Sequence, residues 1–121
     1  MKRLILISWA LVGLALFSAA AQATVQRVIV VETKDLPAYL REIKTIQSQF
    51  KAAGVTVAIR AWRATYAGTA TGETVVTIEV ADLATLAKLE QLEATHADLA
   101  ATLGRIQKLR KITSDSLYEG L

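Results

Sequence analysis

Two hydrophobic periods alternate along residues 24–121, and their order leaves few folds open to the chain. Residues 24–33, TVQRVIVVET, are short and β-branched, the pattern of a strand. Asp35-Leu36-Pro37 follows at once, with Asp35 placed as an N-cap and Pro37 in the first turn, where a missing N–H costs nothing. From there Leu36, Leu40, Ile43, Ile46 or Gln47, and Phe50 recur every three to four residues, which predicts a helix with one apolar stripe. Gly54 closes that helix as a left-handed cap. Residues 55–66 alternate, with Val57, Ile59, Ala61 and Arg63 on one face and Ala58, Arg60, Trp62, Ala64 and Tyr66 on the other. A turn, AGTATG at 67–72, then joins this strand to ETVVTIEVA at 73–81, and the pair reads as a hairpin.

Asp82 caps a second helix whose buried side carries Leu83, Leu86, Leu89 and Leu92. Thr95-His96-Ala97-Asp98 has the composition of a fresh cap, so that helix is expected to break and restart toward Leu109. Residues 112–118 supply the last strand, with poorer alternation than the others. The order β-α-β-β-α-β predicts an α+β, ferredoxin-like domain: a four-stranded antiparallel sheet with its helices on one face and right-handed crossovers. The uncovered face would carry Val28, Val30, Ala58, Trp62, Val75 and Thr77. A face so apolar is an association surface, and a second copy packed about a two-fold axis is its simplest cover.

Residues 1–23 belong to a different pattern. Met1-Lys2-Arg3, an apolar run from Leu4 to Phe17, and Ala21-Gln22-Ala23 are the three parts of a secretory signal peptide. Cleavage is expected after Ala23, which leaves a single domain at 24–121 in the periplasm or outside the cell, with no membrane attachment. The competing reading is an uncleaved anchor, since residues 4–21 carry no charge and approach the roughly 17–25 residues of a span. The chain has no cysteine, so lipid attachment through cysteine and structural disulfides are both closed to it. Without Lys2 and Arg3, twelve Lys and Arg stand against eleven Asp and Glu, a net charge near +1. The basic residues are dispersed, and the densest group, Lys108, Arg110 and Lys111, suits the end of a helix, where cations oppose the dipole. A nucleic-acid partner is therefore not expected.

The element order, the two capped helices and the segment Arg60-Ala61-Trp62-Arg63-Ala64-Thr65-Tyr66-Ala67-Gly68 together resemble the dimeric α/β-barrel superfamily. Antibiotic-biosynthesis monooxygenases, the NIPSNAP family and stress-responsive barrel proteins are among its members. The resemblance spans residues 24–121 and implies a homodimer that closes sheet against sheet into a barrel. Haem-degrading members hold iron with a histidine on the second helix, beside a strand tryptophan and a strand asparagine. His96 and Trp62 match two of those parts, but the chain contains no asparagine. Other members oxygenate electron-rich substrates without a cofactor, a chemistry that needs no recognisable motif.

The only histidine, His96, lies on the stripe of Leu92, Leu99 and Leu103, so it is placed toward a cleft between helices and sheet. Arg63, on the helix side of its strand, is a second candidate for that cleft, with Tyr39 and Tyr66 at the opening. These four residues form the expected ligand site, suited to a small hydrophobic or aromatic molecule. On the opposite face, a hairpin register that sets Arg60 against Glu79 and Trp62 against Thr77 would place an Arg–carboxylate pair on the dimer side. No Ser-His-Asp arrangement, glycine-rich phosphate loop or metal-ligand cluster stands out, so neither a cofactor nor a metal is expected. The sequence therefore favours a non-catalytic binding or structural module. A cofactor-independent monooxygenase or isomerase acting on an aromatic substrate is the alternative.

Overall fold

The β-branched run forms strand β1 (Val25–Glu32), an interior strand of a four-stranded sheet that also holds β2 (Ala58–Arg63), β3 (Thr74–Val80) and β4 (Lys111–Glu119) in the order β2-β3-β1-β4. The computed structural model describes residues 24–121; the expected signal segment lies outside the described residues. Helix α1 (Leu36–Ala52) begins where the Asp35 side chain accepts a hydrogen bond from Ala38 N at 3.1 Å. It ends before Gly54, whose φ of 81° is the left-handed conformation that a side chain would strain. Strands β2 (Ala58–Arg63) and β3 (Thr74–Val80) make the hairpin, helices α2 (Leu83–Thr95) and α3 (Ala97–Leu109) follow, and β4 (Lys111–Glu119) completes the sheet. All three strand pairings are antiparallel. The fold is the expected ferredoxin-like one, with its second helix divided in two.

That division lies at His96, which closes α2 and opens α3 with extended backbone angles (φ −91°, ψ 116°). No side chain caps the restart: the Thr95 hydroxyl donates instead to Gln91 O, back along its own helix, at 2.8 Å. The new helix runs past α1, and its inner face buries Leu99, Thr102 and Ile106.

The hairpin register differs from the expected one by two residues. Arg60 faces Thr77, Trp62 faces Val75, and Ala58 faces Glu79. The cause is the turn. Ala64 N donates to Glu73 O at 2.9 Å and Gly72 N returns to Ala64 O at 2.6 Å, with Gly68 and Gly72 both at positive φ. The loop is therefore centred one residue earlier than a symmetric reading of AGTATG would place it. A shift of two keeps every side chain on its face and changes only its partner.

The core lies between sheet and helices: Val25, Ile29 and Val31 from β1, Val76 and Val80 from β3, Tyr39, Ile43, Ile46 and Phe50 from α1, and Leu89, Leu99 and Ile106 from the later helices. Gln47 ties α1 to the start of β2, accepting from Ile59 N at 2.7 Å and donating to Val57 O at 2.6 Å. Leu83, expected on the buried side of the second helix, is half exposed in its first turn.

Candidate functional site

Two faces of the sheet offer different chemistry. On the open face the register sets out three cross-strand rows. Ser114, Val30, Val75 and Trp62 form the first; Ser116, Val28, Thr77 and Arg60 the second; Tyr118, Gln26, Glu79 and Ala58 the third. Apolar side chains thus concentrate at the end bearing Trp62. The indole is 49% exposed, and its Nε1 donates to Thr77 Oγ1 at 2.9 Å, which lays the ring diagonally across β2 and β3. Arg60 and Glu79 share this face as diagonal neighbours rather than as the opposed pair expected. The ion pairs found among the described residues lie elsewhere.

On the helix side, alternation along β1 points Val25, Arg27, Ile29 and Val31 inward, so one arginine stands in an otherwise apolar row. Its guanidinium grips Asp115 of β4 with two parallel bonds, Nε to Oδ1 at 2.9 Å and Nη2 to Oδ2 at 2.6 Å. Nearby, Arg110 donates from Nη1 to the hydroxyl of fully buried Tyr39 at 3.2 Å. Arg27 and Arg110, with Glu90 and Glu93 of α2, line the polar part of a cavity of about 60 Å³. Its remaining wall is apolar: Ile29, Ile59, Val76 and Ile78 from the sheet, Ile43, Ile46 and Phe50 from α1, and Leu86, Leu89, Leu103 and Ile106 above.

The carboxylates respond to this setting in opposite ways. Burial pushes the Glu93 carboxyl above its ordinary range; Glu90 adds to the rise, while Arg27 and Arg110 oppose it. The hydrogen bonds from Arg27 hold Asp115 below its ordinary range, against a smaller effect of burial. The signs of the pH dependence follow from linkage. Stability contributed by Glu93 is present below the ordinary carboxylate range and is lost as pH rises through the elevated folded value. Stability from Asp115 is present above the ordinary range and is lost as pH falls through the depressed one. Glu93→Gln is therefore expected to raise the urea midpoint at neutral pH. Asp115→Asn should lower stability there by up to about 1 kcal/mol, the upper end for a solvent-accessible pair. Both differences should vanish in acid, and urea titrations at neutral and acidic pH would reveal a wrong sign in either.

The four residues expected to share a cleft are dispersed. His96 is exposed at the helix break and is not among the residues that line the cavity. Breaking the helix takes it off the stripe that the sequence drew through Leu92, Leu99 and Leu103. Arg63 is exposed at the end of β2, beside a shallow groove formed with Leu36, Leu40 and Trp62. Tyr66 is fully exposed in the hairpin loop, and Tyr39, expected at a rim, is 0% exposed in the core. His96→Gln should change stability by less than about 1 kcal/mol, as at an exposed position, and thermal melts would show a larger shift if the imidazole were structural. Among the described residues, no three His, Asp or Glu side chains converge where a metal ion could sit.

This fold recurs in solved structures of low sequence similarity. A NIPSNAP family protein from Agrobacterium tumefaciens is 15% identical, with a TM-score of 0.58 over 83% of this chain and 91% of that one. A conserved protein of unknown function from Bacteroides thetaiotaomicron, described as a possible oxidoreductase, is 13% identical with a TM-score of 0.56 over 82% and 99%. No family model and no curated protein sequence matches the chain. The fold is thus ferredoxin-like, of the type seen in that NIPSNAP family protein.

Proposed function

We propose that residues 24–121 act as an exported, non-catalytic module that works as a homodimer, its two sheets packed open face to open face. The observation that carries this reading is the row of Val30, Val75 and Trp62, with Arg60 and Glu79 in the next two rows of the same face. A two-fold axis through such a face covers the apolar row. It also lets the arginine of one copy meet the glutamate of the other, since neither is committed to the other within its own sheet. Export rests on Lys2-Arg3, the apolar run and Ala21-Gln22-Ala23.

The size of the enclosed cavity between sheet and helices counts against an aromatic substrate held there. A hole of about 150 Å³ is what benzene occupies in an engineered protein core, and this one is about 60 Å³, closed in by Phe50, Ile43 and Leu86. It accommodates a short apolar group, not an aromatic ring. A second reading, an oxygenase or isomerase, draws on the Arg27, Glu93 and Arg110 cluster at the cavity and on the description of the Bacteroides protein as a possible oxidoreductase. Native mass spectrometry of protein purified from the periplasm separates the two. Twice the mass of a chain beginning at Thr24, with no added mass, is expected. A retained small molecule would favour the second reading, and a monomer mass would contradict the first.

A further inference from the structure

The cavity between sheet and helices is apolar within and charged at one end, and the charges at that end do not cancel. Arg27 is committed to Asp115 by two parallel bonds, so that pair leaves no net charge. What remains is Arg110 with Glu90 and Glu93, one cation among two carboxylates. Neither glutamate belongs to the ion pairs found among the described residues. Arg110 donates through Nη1 to the Tyr39 hydroxyl, which steadies the guanidinium and leaves Nε and Nη2 without a side-chain partner among the described residues. Glu93 is the deeper of the two carboxylates, half-buried where Glu90 is exposed. Burial holds its carboxyl above the ordinary range, a cost that a cation brought against it would offset.

We propose that this site binds a small aliphatic α-amino acid of valine size, its side chain in the apolar cavity and its zwitterionic head at the charged end. Both charges of the head then meet a complement. The α-carboxylate accepts from the free donors of Arg110, and the α-ammonium donates to Glu93 and, nearer solvent, to Glu90. A plain carboxylic acid would leave the two glutamates unmatched, and a plain amine would leave Arg110 so. Size selects the side chain: a hole of about 150 Å³ takes the six carbons of benzene, and one of about 60 Å³ has room for two or three, as in the isopropyl group of valine. The inference goes beyond the proposed homodimer and does not rest on it, since the cavity lies on the opposite side of the sheet from the row of Trp62. A ligand held in the millimolar range exchanges away during purification, so purified protein is still expected to carry no added mass.

The test is a methyl NMR titration of the purified protein labelled at isoleucine. Ile29, Ile43, Ile46, Ile59, Ile78 and Ile106 line the cavity, while Ile112 on β4 does not and serves as the control. L-Valine should shift the cavity methyls saturably in the millimolar range and leave Ile112 unmoved. Glycine, which lacks the side chain, and L-phenylalanine, which exceeds the cavity, should shift none of them. Isovalerate lacks the ammonium and isobutylamine the carboxylate; each should bind about tenfold more weakly or worse, the loss of one charge-assisted contact. Glu93→Gln, expected to be at least as stable as wild type at neutral pH, should weaken valine by a similar factor and leave isovalerate unchanged. Valine that moves no cavity methyl at tens of millimolar would overturn the site. Isovalerate, isobutylamine or phenylalanine binding as tightly as valine would overturn the assignment of its ligand, as would a Glu93→Gln variant that binds valine like wild type.

Discussion

Phe50→Ala is expected to cost the domain about 3–5 kcal/mol, the range for removing a buried phenylalanine ring. Phe50 is 1% exposed, stands on the inner stripe of α1 and forms part of the cavity wall. The void left by the ring would join an existing one, and the backbone on either side is held, by the sheet below and by the Gln47 bonds to Val57 and Ile59. Collapse is therefore hindered, which places the loss toward the upper part of that range. A domain of this size has about 5–15 kcal/mol in total, so urea denaturation should show a large fall in midpoint with a nearly unchanged slope. A loss below about 1 kcal/mol, the scale of a surface change, would mean that α1 does not pack as described.

Trp62→Glu has the second large effect, and its size depends on whether the open face is covered. In a lone domain the half-exposed indole makes one hydrogen bond, to Thr77, and its replacement would cost only about 1 kcal/mol. At the centre of a dimer the same change buries a carboxylate among Val30, Val75 and their counterparts, at several kcal/mol. The expected result is a folded monomer: circular dichroism close to wild type, with elution by gel filtration at half the wild-type mass. A variant that still elutes as a dimer would place the interface somewhere else.

Most of the fold was legible because its signals are local. Asp35 and Asp82 cap the helices that their positions announce, and Gly54 ends α1 in the left-handed conformation. The face assignment in the hairpin held through a two-residue slip because strand period is two, whereas partners such as Arg60 and Glu79 depend on the turn. Turn geometry at AGTATG is set by which glycines take positive φ, and composition alone does not choose among them. The helix break was visible in Thr95-His96-Ala97-Asp98, but its consequence was not. Carrying the stripe of α2 unbroken through His96 put the imidazole in a cleft that the restart of α3 denies it. Tyrosine often sits at a rim, but the hydroxyl of Tyr39 is buried and satisfied by Arg110, seventy-one positions away.

The charged cluster at the cavity was missed for a related reason. Arg27 is an inward position in the alternation of β1, and a charge there signals a partner brought in by the tertiary fold. That signal was present in the sequence; the identity of the partner, Asp115, eighty-eight residues on, was not. Glu93 lies in a helix whose periodic signal is carried by its leucines, and its half-buried setting arises only when α2 lies across β3.

Sedimentation equilibrium of the wild-type chain beginning at Thr24, at micromolar concentration, bears most directly on the claim that the open sheet face is a self-association surface. A single species at twice the chain mass, converted to the chain mass by Trp62→Glu, is the result predicted. A wild-type chain that sediments as a monomer at that concentration would contradict it.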